Sequence, residues 1–167
     1  MERRADGGRV DPRRSGFTLV TMYLDSAIIM KLLVDEPESD FFSEALKGQP
    51  ITSSELAITE VLSALHGKQR SKLLTATQRK VAWEQFNTRV QAGEIELQPL
   101  SGIVLKKAVH ILERCHPAIP LRSLDAIHTA ACDLSQDFPL CTTDQRMRAA
   151  ARVLGIPVFP PDESPNP

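Results

Sequence analysis

Four carboxylates carry the chemical interest of this 167-residue chain. Asp25 follows the apolar run Met22-Tyr23-Leu24, and Asp144 lies two residues past Thr142 at the end of FPLCT. Glu60 sits in LAITEVLSAL, and Asp125 sits in the mostly apolar LRSLDAIHTAA. An acid on a largely buried helix is costly unless it is paired, hydrogen-bonded or bound to a cation. Taken singly, each has a plain structural reading. Asp25 suits a strand-end turn, Asp144 an N-cap, and Glu60 and Asp125 the favourable end of a helix dipole. Taken together, four acids that point to one edge of a fold are hard to divide among four separate structural tasks. Carboxylates gathered within ~5 Å repel, and some take up protons unless a cation neutralises them. Oxygen donors favour a hard ion, Mg²⁺ or Mn²⁺, over zinc. Such an ion can activate a water and stabilise the leaving oxygen of a phosphodiester, so phosphodiester hydrolysis is the chemistry that fits.

The elements that must position these acids follow from periodicity. Met22–Leu24 reads as a first strand, and Ala27–Val34 as a helix stopped by Asp35-Glu36-Pro37. Ser39–Lys47 reads as a helix closed by Gly48, and Pro50–Ser53 as a strand. Ser54–Leu65 is a helix that Ser53 or Ser54 would cap, and Thr77–Gln91 is another, carrying Trp83 and Phe86. Ile95–Pro99 alternates like a strand, then Ser101–Cys115 and Ser123–Ser135 are helical. Phe138–Thr142 is a strand, Gln145–Leu154 a helix, and Gly155–Val158 leads into a last short strand. Short apolar strands alternating with helices predict a parallel sheet covered on both faces. In that class, sites form beyond the carboxyl ends of the strands, where Asp25 and Asp144 fall.

Composition bounds the rest. A chain with 42% hydrophobic and 25% charged residues reads as one ordinary globular domain that needs no disulfide or structural metal. A net charge of −1 excludes a polybasic binder held by bulk charge, while leaving room for a local basic rim. Six Phe, one Trp and one Tyr are too few for a stacking platform for single strands. Three cysteines without a CxxC pair argue against a disulfide framework or a thiolate zinc site and favour a reducing, cytoplasmic setting. No apolar run is long enough for a membrane span. Residues 1–21, rich in Arg and Gly, read as a disordered extension, with Met22 a natural start; residues 22–159 form the domain, and the proline-rich 160–167 a disordered tail.

Around the acids, Arg122 and Arg146 could hold phosphate oxygens, for which the guanidinium fork is suited. Lys68, Arg70 and Lys72 form a small basic cluster that reads as a solvated loop, with a phosphate-contacting rim as the functional alternative. His128 lies one helical turn after Asp125 and could orient that carboxylate, or simply be packed. Trp83, Phe86 and Val90 read as a helix–helix or dimer face, and Cys132 and Cys141 as core.

The segments MYLDSAII, SELAITEVLSAL, LRSLDAIHTAA and CTTDQRMRAAARVLGIPV together resemble the PIN domain, and specifically the VapC-type toxins of bacterial toxin–antitoxin pairs. LRSLDAIHTAA is the most specific of the four. The resemblance covers residues 22–159. It implies a three-layer α/β/α sandwich and a Mg²⁺- or Mn²⁺-dependent endoribonuclease whose acidic quartet is Asp25, Glu60, Asp125 and Asp144. Asp25 and Asp125 would be the direct metal ligands. Glu60 and Asp144 would ligate through water, position the attacking water or fill a second metal position. Thr142 and Ser26 would hydrogen-bond the site or the scissile phosphate. The resemblance also implies an RNA substrate, a cognate antitoxin protein and a homodimer. Two rivals make different demands. An aspartyl-nucleophile phosphohydrolase would want an acid at position 27, which is Ala27. A non-catalytic RNA-binding or protein-interaction module of the same fold would have lost one or more acids, and none is lost.

Overall fold

A computed structural model describes residues 20–161. The expected extension 1–21 and tail 160–167 lie outside that range except for Val20, Thr21, Pro160 and Pro161, which belong to neither helix nor strand. Along the chain run β1 (Met22–Leu24), α1 (Ser26–Leu33), α2 (Ser39–Ala45), β2 (Ile51–Ser54), α3 (Leu56–Arg70) and α4 (Ala76–Gln91). Then follow β3 (Ile95–Gln98), α5 (Gly102–Cys115), α6 (Ser123–Ser135), β4 (Leu140–Cys141), α7 (Gln145–Leu154) and β5 (Val158–Phe159). The five strands form one sheet in the order β3-β2-β1-β4-β5. Every pairing is parallel, with Tyr23 opposite Thr52 on one side and Leu140 on the other.

Each strand feeds one side chain to each face, and this alternation builds two cores. Met22, Leu24 and Cys141 point into a cluster with Ile28, Phe42, Val61, Leu65 and Phe86, so α1 to α4 cover that face. Tyr23 and Leu140 point the other way, into a cluster with Val104, Ile111, Ala126, Ala130 and Ala151, so α5, α6 and α7 cover the second face. The expected α/β/α sandwich is therefore the fold. Successive strands β1, β2 and β3 step outward in one direction, and β4 returns to the opposite flank of β1. The reversal lies between β1 and β4, and the crevice beyond their carboxyl ends is where this architecture places ligands.

Three expectations need correction. Ser53 and Ser54 do not open α3; they complete the ladder with Leu97 and Gln98, and the helix starts one residue after Glu55. Ser54 still accepts a hydrogen bond from the Leu56 amide at 3.2 Å. At its other end α3 continues through Arg70, because Lys68 is not a loop residue but pairs with Glu36. The strand expected over Phe138–Thr142 is ordered as a ladder only at Leu140–Cys141. Trp83 and Phe86 stack at 5.5 Å, with Phe86 buried in the first core and Trp83 half-buried against it.

Candidate active site at the strand-switch edge

Asp25 leaves β1 at the switch point and is the N-cap of α1: its Oδ1 accepts from the Ile28 amide at 2.9 Å. Its Oδ2 accepts a short hydrogen bond from the Thr142 hydroxyl, which in turn accepts from the Asp144 amide at 3.1 Å. One buried hydroxyl thus joins the acid after β1 to the acid after β4. Arg148, itself buried, donates to the Thr142 carbonyl at 3.1 Å and to the Pro160 carbonyl at 2.7 Å, which holds the backbone of that junction. Asp25 is only 4% exposed. Burial pushes its carboxyl above the ordinary range, against the opposing pull of Thr142 and the Ile28 amide.

Glu60 reaches the same edge from the second turn of α3. Its Oε2 accepts from the Ser26 hydroxyl at 2.5 Å and lies 2.6 Å from His128 Nε2. The imidazole comes from α6, on the opposite face of the sheet, so the two helical layers meet beyond the strand ends. Partial burial works to raise the Glu60 carboxyl, but the interactions with His128 and the Ser26 hydroxyl outweigh it and hold the group below its usual value. His128 therefore does orient a carboxylate, but that of Glu60 rather than Asp125. Its other ring nitrogen, Nδ1, is 3.0 Å from the Tyr23 hydroxyl.

Asp125 and Asp144 form the outer half of the site. Asp125 lies in the first turn of α6, where its Oδ2 accepts from the Arg122 amide at 3.3 Å. Asp144 caps α7, accepting from the Arg146 amide at 2.8 Å and the Met147 amide at 3.1 Å. The Arg146 guanidinium stands 3.5 Å from its other oxygen. Burial pushes the Asp125 carboxyl up and repulsion from Asp144 adds to it, while Arg146 and Arg122 oppose. Partial burial acts the same way on Asp144, but the two capping amides and Arg146 prevail and hold it below the ordinary range. Arg122 is exposed and Arg146 half-buried beside the acids.

The four carboxylates run along one edge: Glu60 to Asp25 through Ser26, Asp25 to Asp144 through Thr142, and Asp144 to Asp125 through space. They occupy it as two pairs rather than one cup. Among the described residues no three Asp, Glu, His or Cys side chains converge closely enough to enclose an ion. Asp125 and Asp144 are held by amides at the starts of their own helices, whereas Glu60 is drawn to Ser26 and His128 on other elements. Two of the plain structural readings hold, since Asp144 is an N-cap and Asp125 sits at a helix N-terminus, while Asp25, expected in a strand-end turn, caps α1. The residue that sequence reasoning missed is Tyr23. Only its place in β1, two positions before Asp25, hinted at a role. Cys132 and Cys141 are buried in the cores, as expected, and burial pushes both thiols far up.

Comparison with known proteins decides what this edge belongs to. The PIN domain model matches residues 22–153, a span that contains all four carboxylates. The chain belongs to the PIN domain family. This PIN domain is 39% identical over 146 residues to Ribonuclease VapC46 of Mycobacterium tuberculosis, covering 86% of this chain and 99% of that relative. That likeness bears out the expected kinship with VapC-type proteins. Among solved structures it shares its fold with VapBC2 of Rickettsia felis, crystallised with a DNA fragment from its promoter. The TM-score is 0.60, with 13% identity over 83% of this chain and 97% of that one. FitAcB of Neisseria gonorrhoeae aligns with a TM-score of 0.59 and 16% identity, covering 83% of this chain and 96% of that one. A toxin–antitoxin complex from Klebsiella pneumoniae aligns at 0.54 and 19% identity, over 86% and 99% of the two chains. Among the described residues no helix is long and apolar enough to cross a membrane.

Proposed function

We propose that this PIN domain is a divalent-metal-dependent endoribonuclease and the toxin of a toxin–antitoxin pair. The observation that carries the reading is the acidic edge at the β1/β4 switch point, in a chain 39% identical to a named ribonuclease. The donor set suits the ion: it is all carboxylate, and at Asp25 and Asp125 burial outweighs the compensation the fold supplies. Asp25 is ionised only against burial, and Asp125 only against burial and its acidic neighbour. Asp25 and Asp125 would hold Mg²⁺ or Mn²⁺, with Glu60 and Asp144 acting through water or at a second position. When bound, the ion would supply Lewis-acid activation of a water and of the scissile phosphate.

The chain's own residues do the rest. Thr142 and the Ile28 amide fix both oxygens of Asp25, so the buried carboxylate has a single orientation. Glu60, half-buried, can take a proton from the attacking water or hold that water. Arg122 and Arg146 would bind phosphate oxygens flanking the cleaved bond, and Ser26, half-buried beside Asp25, would steady Glu60. Unpaired RNA loops are the natural target, because their backbone and bases can be brought to an open edge. The toxin reading further proposes a cytoplasmic protein, a cognate antitoxin that covers the edge, and a homodimer. The Klebsiella toxin–antitoxin complex, a neighbour in fold, supports the antitoxin.

The test is cleavage-site mapping on total RNA with purified protein. Wild type with Mn²⁺ should cut at discrete sites, and chelation or Asp125→Ala should remove them. Cuts that persist in both controls would overturn the proposal. A wild type that binds RNA without cutting it would favour the non-catalytic module instead.

A further inference from the structure

We infer that Tyr23 and His128 form a hydrogen-bond relay that positions Glu60, so that strand β1 sets two of the four carboxylates at once. The kinetic consequence rests on the nuclease reading; the relay itself does not. Tyr23 is fully buried and His128 is 3% exposed. Both nitrogens of the imidazole are engaged: Nδ1 faces the Tyr23 hydroxyl at 3.0 Å, and Nε2 faces Glu60 Oε2 at 2.6 Å and Ser26 Oγ at 3.1 Å. A histidine that merely fills space between Ala-rich helices needs neither partner.

The partners assign the proton. Ionised Glu60 can only accept, so the ring nitrogen facing it must carry the hydrogen, and in a neutral ring this leaves Nδ1 to accept from the Tyr23 hydroxyl. Nε2 thus donates to Glu60. Ser26 donates to the same oxygen, so both bonds fall on Oε2 and Oε1 takes part in neither. A glutamate on the second turn of a helix otherwise has three rotatable bonds and a half-exposed path into solvent. Fixing one oxygen by two donors, one of them anchored on the buried β1, removes that freedom before substrate arrives. His128 and Tyr23 are positioning residues, since neither reaches the reacting atoms except through Glu60. Outer partners that orient a functional carboxylate are typically worth 10- to 100-fold in activity or affinity.

The relay is tested on the full chain. In metal-free wild type near pH 7.5, long-range ¹⁵N–¹H NMR should show His128 as the Nε2–H tautomer, and Tyr23→Phe should redistribute the proton between the nitrogens. Kinetically, His128→Ala should lower kcat roughly 10- to 100-fold with KM for RNA changed less than about twofold. His128→Gln, whose amide can donate from near the Nε2 position, should recover most of the loss. An Nδ1–H or doubly protonated ring in wild type overturns the relay, as does a folded His128→Ala that cleaves like wild type or a Gln variant no better than Ala. Should the Ala variant fail to fold, the Gln and Phe variants and the spectrum still decide. A wild type that cleaves no RNA overturns the nuclease reading, and the tautomer measurement then judges the relay alone.

Discussion

The two halves of the acidic edge are built on different physics. On the inner half, Glu60 is held only by side chains, Ser26 and His128 backed by Tyr23, and Asp25 by the Thr142 hydroxyl together with the Ile28 amide. On the outer half, Asp125 and Asp144 are held by backbone amides at helix N-termini and by the charges of Arg122 and Arg146. The inner half gains precision, because its buried hydroxyl and imidazole are each fixed by a further hydrogen bond. An unmade bond there costs about 1–3 kcal/mol. The outer half keeps solvent contact and cationic neighbours, which suits an entry for a polyanion. The lesson is that one cluster of like charges can be made tolerable by two routes, desolvated hydrogen bonding and exposed electrostatic compensation.

The comparison breaks first at its acids. Alanine at Asp25 and at Asp125 should each cut RNA cleavage by at least about 100-fold, exceeding the 10- to 100-fold of partner residues. A loss confined to one of them, in single-turnover assays, would mean that only one half does chemistry. Next come the supports. Thr142→Val leaves Asp25 Oδ2 and the Asp144 amide without a partner and should lower kcat about 10- to 100-fold. Arg146→Ala should instead raise KM several-fold and flatten its salt dependence, since one phosphate contact is lost. Steady-state kinetics at two ionic strengths separates these outcomes.

Metal binding should register as stability. Millimolar Mn²⁺ should raise Tm by several degrees in wild type and by nothing measurable in Asp25→Ala/Asp125→Ala, read by thermal shift. The smallest effect concerns Asp25 without metal. Its folded-state value is raised by burial, so ionising it costs stability, and that cost appears as pH rises from the unfolded value near 4 through the raised folded one. Asp25→Asn should therefore gain roughly 2–4 °C in Tm at pH 7, about the shift of 1 kcal/mol in a chain this size. The gain should shrink toward zero as pH falls to about 4. A constant gain across pH would show that packing, not charge, is responsible.

Much of this was legible in the chain itself. The order of strands and helices followed from apolar runs and period 3.6, because each element buries one face and writes that face into its spacing. Asp25 and Asp144 were placed at strand ends by the same pattern. His128 was noticed by its turn-by-turn distance from Asp125, yet it serves Glu60, 68 residues away in sequence. Local spacing on one helix could not reveal a partner contributed by the opposite layer. Tyr23 lies in the apolar run that reads as the first strand; that its hydroxyl meets His128 depended on where α6 lies across the sheet. The limits of β2 and α3 were misjudged because serine suits both a cap and a ladder position, and pairing with β3 chose between them.

The linear order of residues, then, determined the layered parallel architecture, the four acids and their placement beside strand ends and helix starts. Those depend on short-range burial and on the geometry of single elements. Only the tertiary structure decided that the acids divide into two pairs, that Thr142 bridges them, and that His128 turns toward Glu60. Such contacts join segments distant along the chain, and the hydrogen bonds that select them form only when both faces of the sheet have been covered.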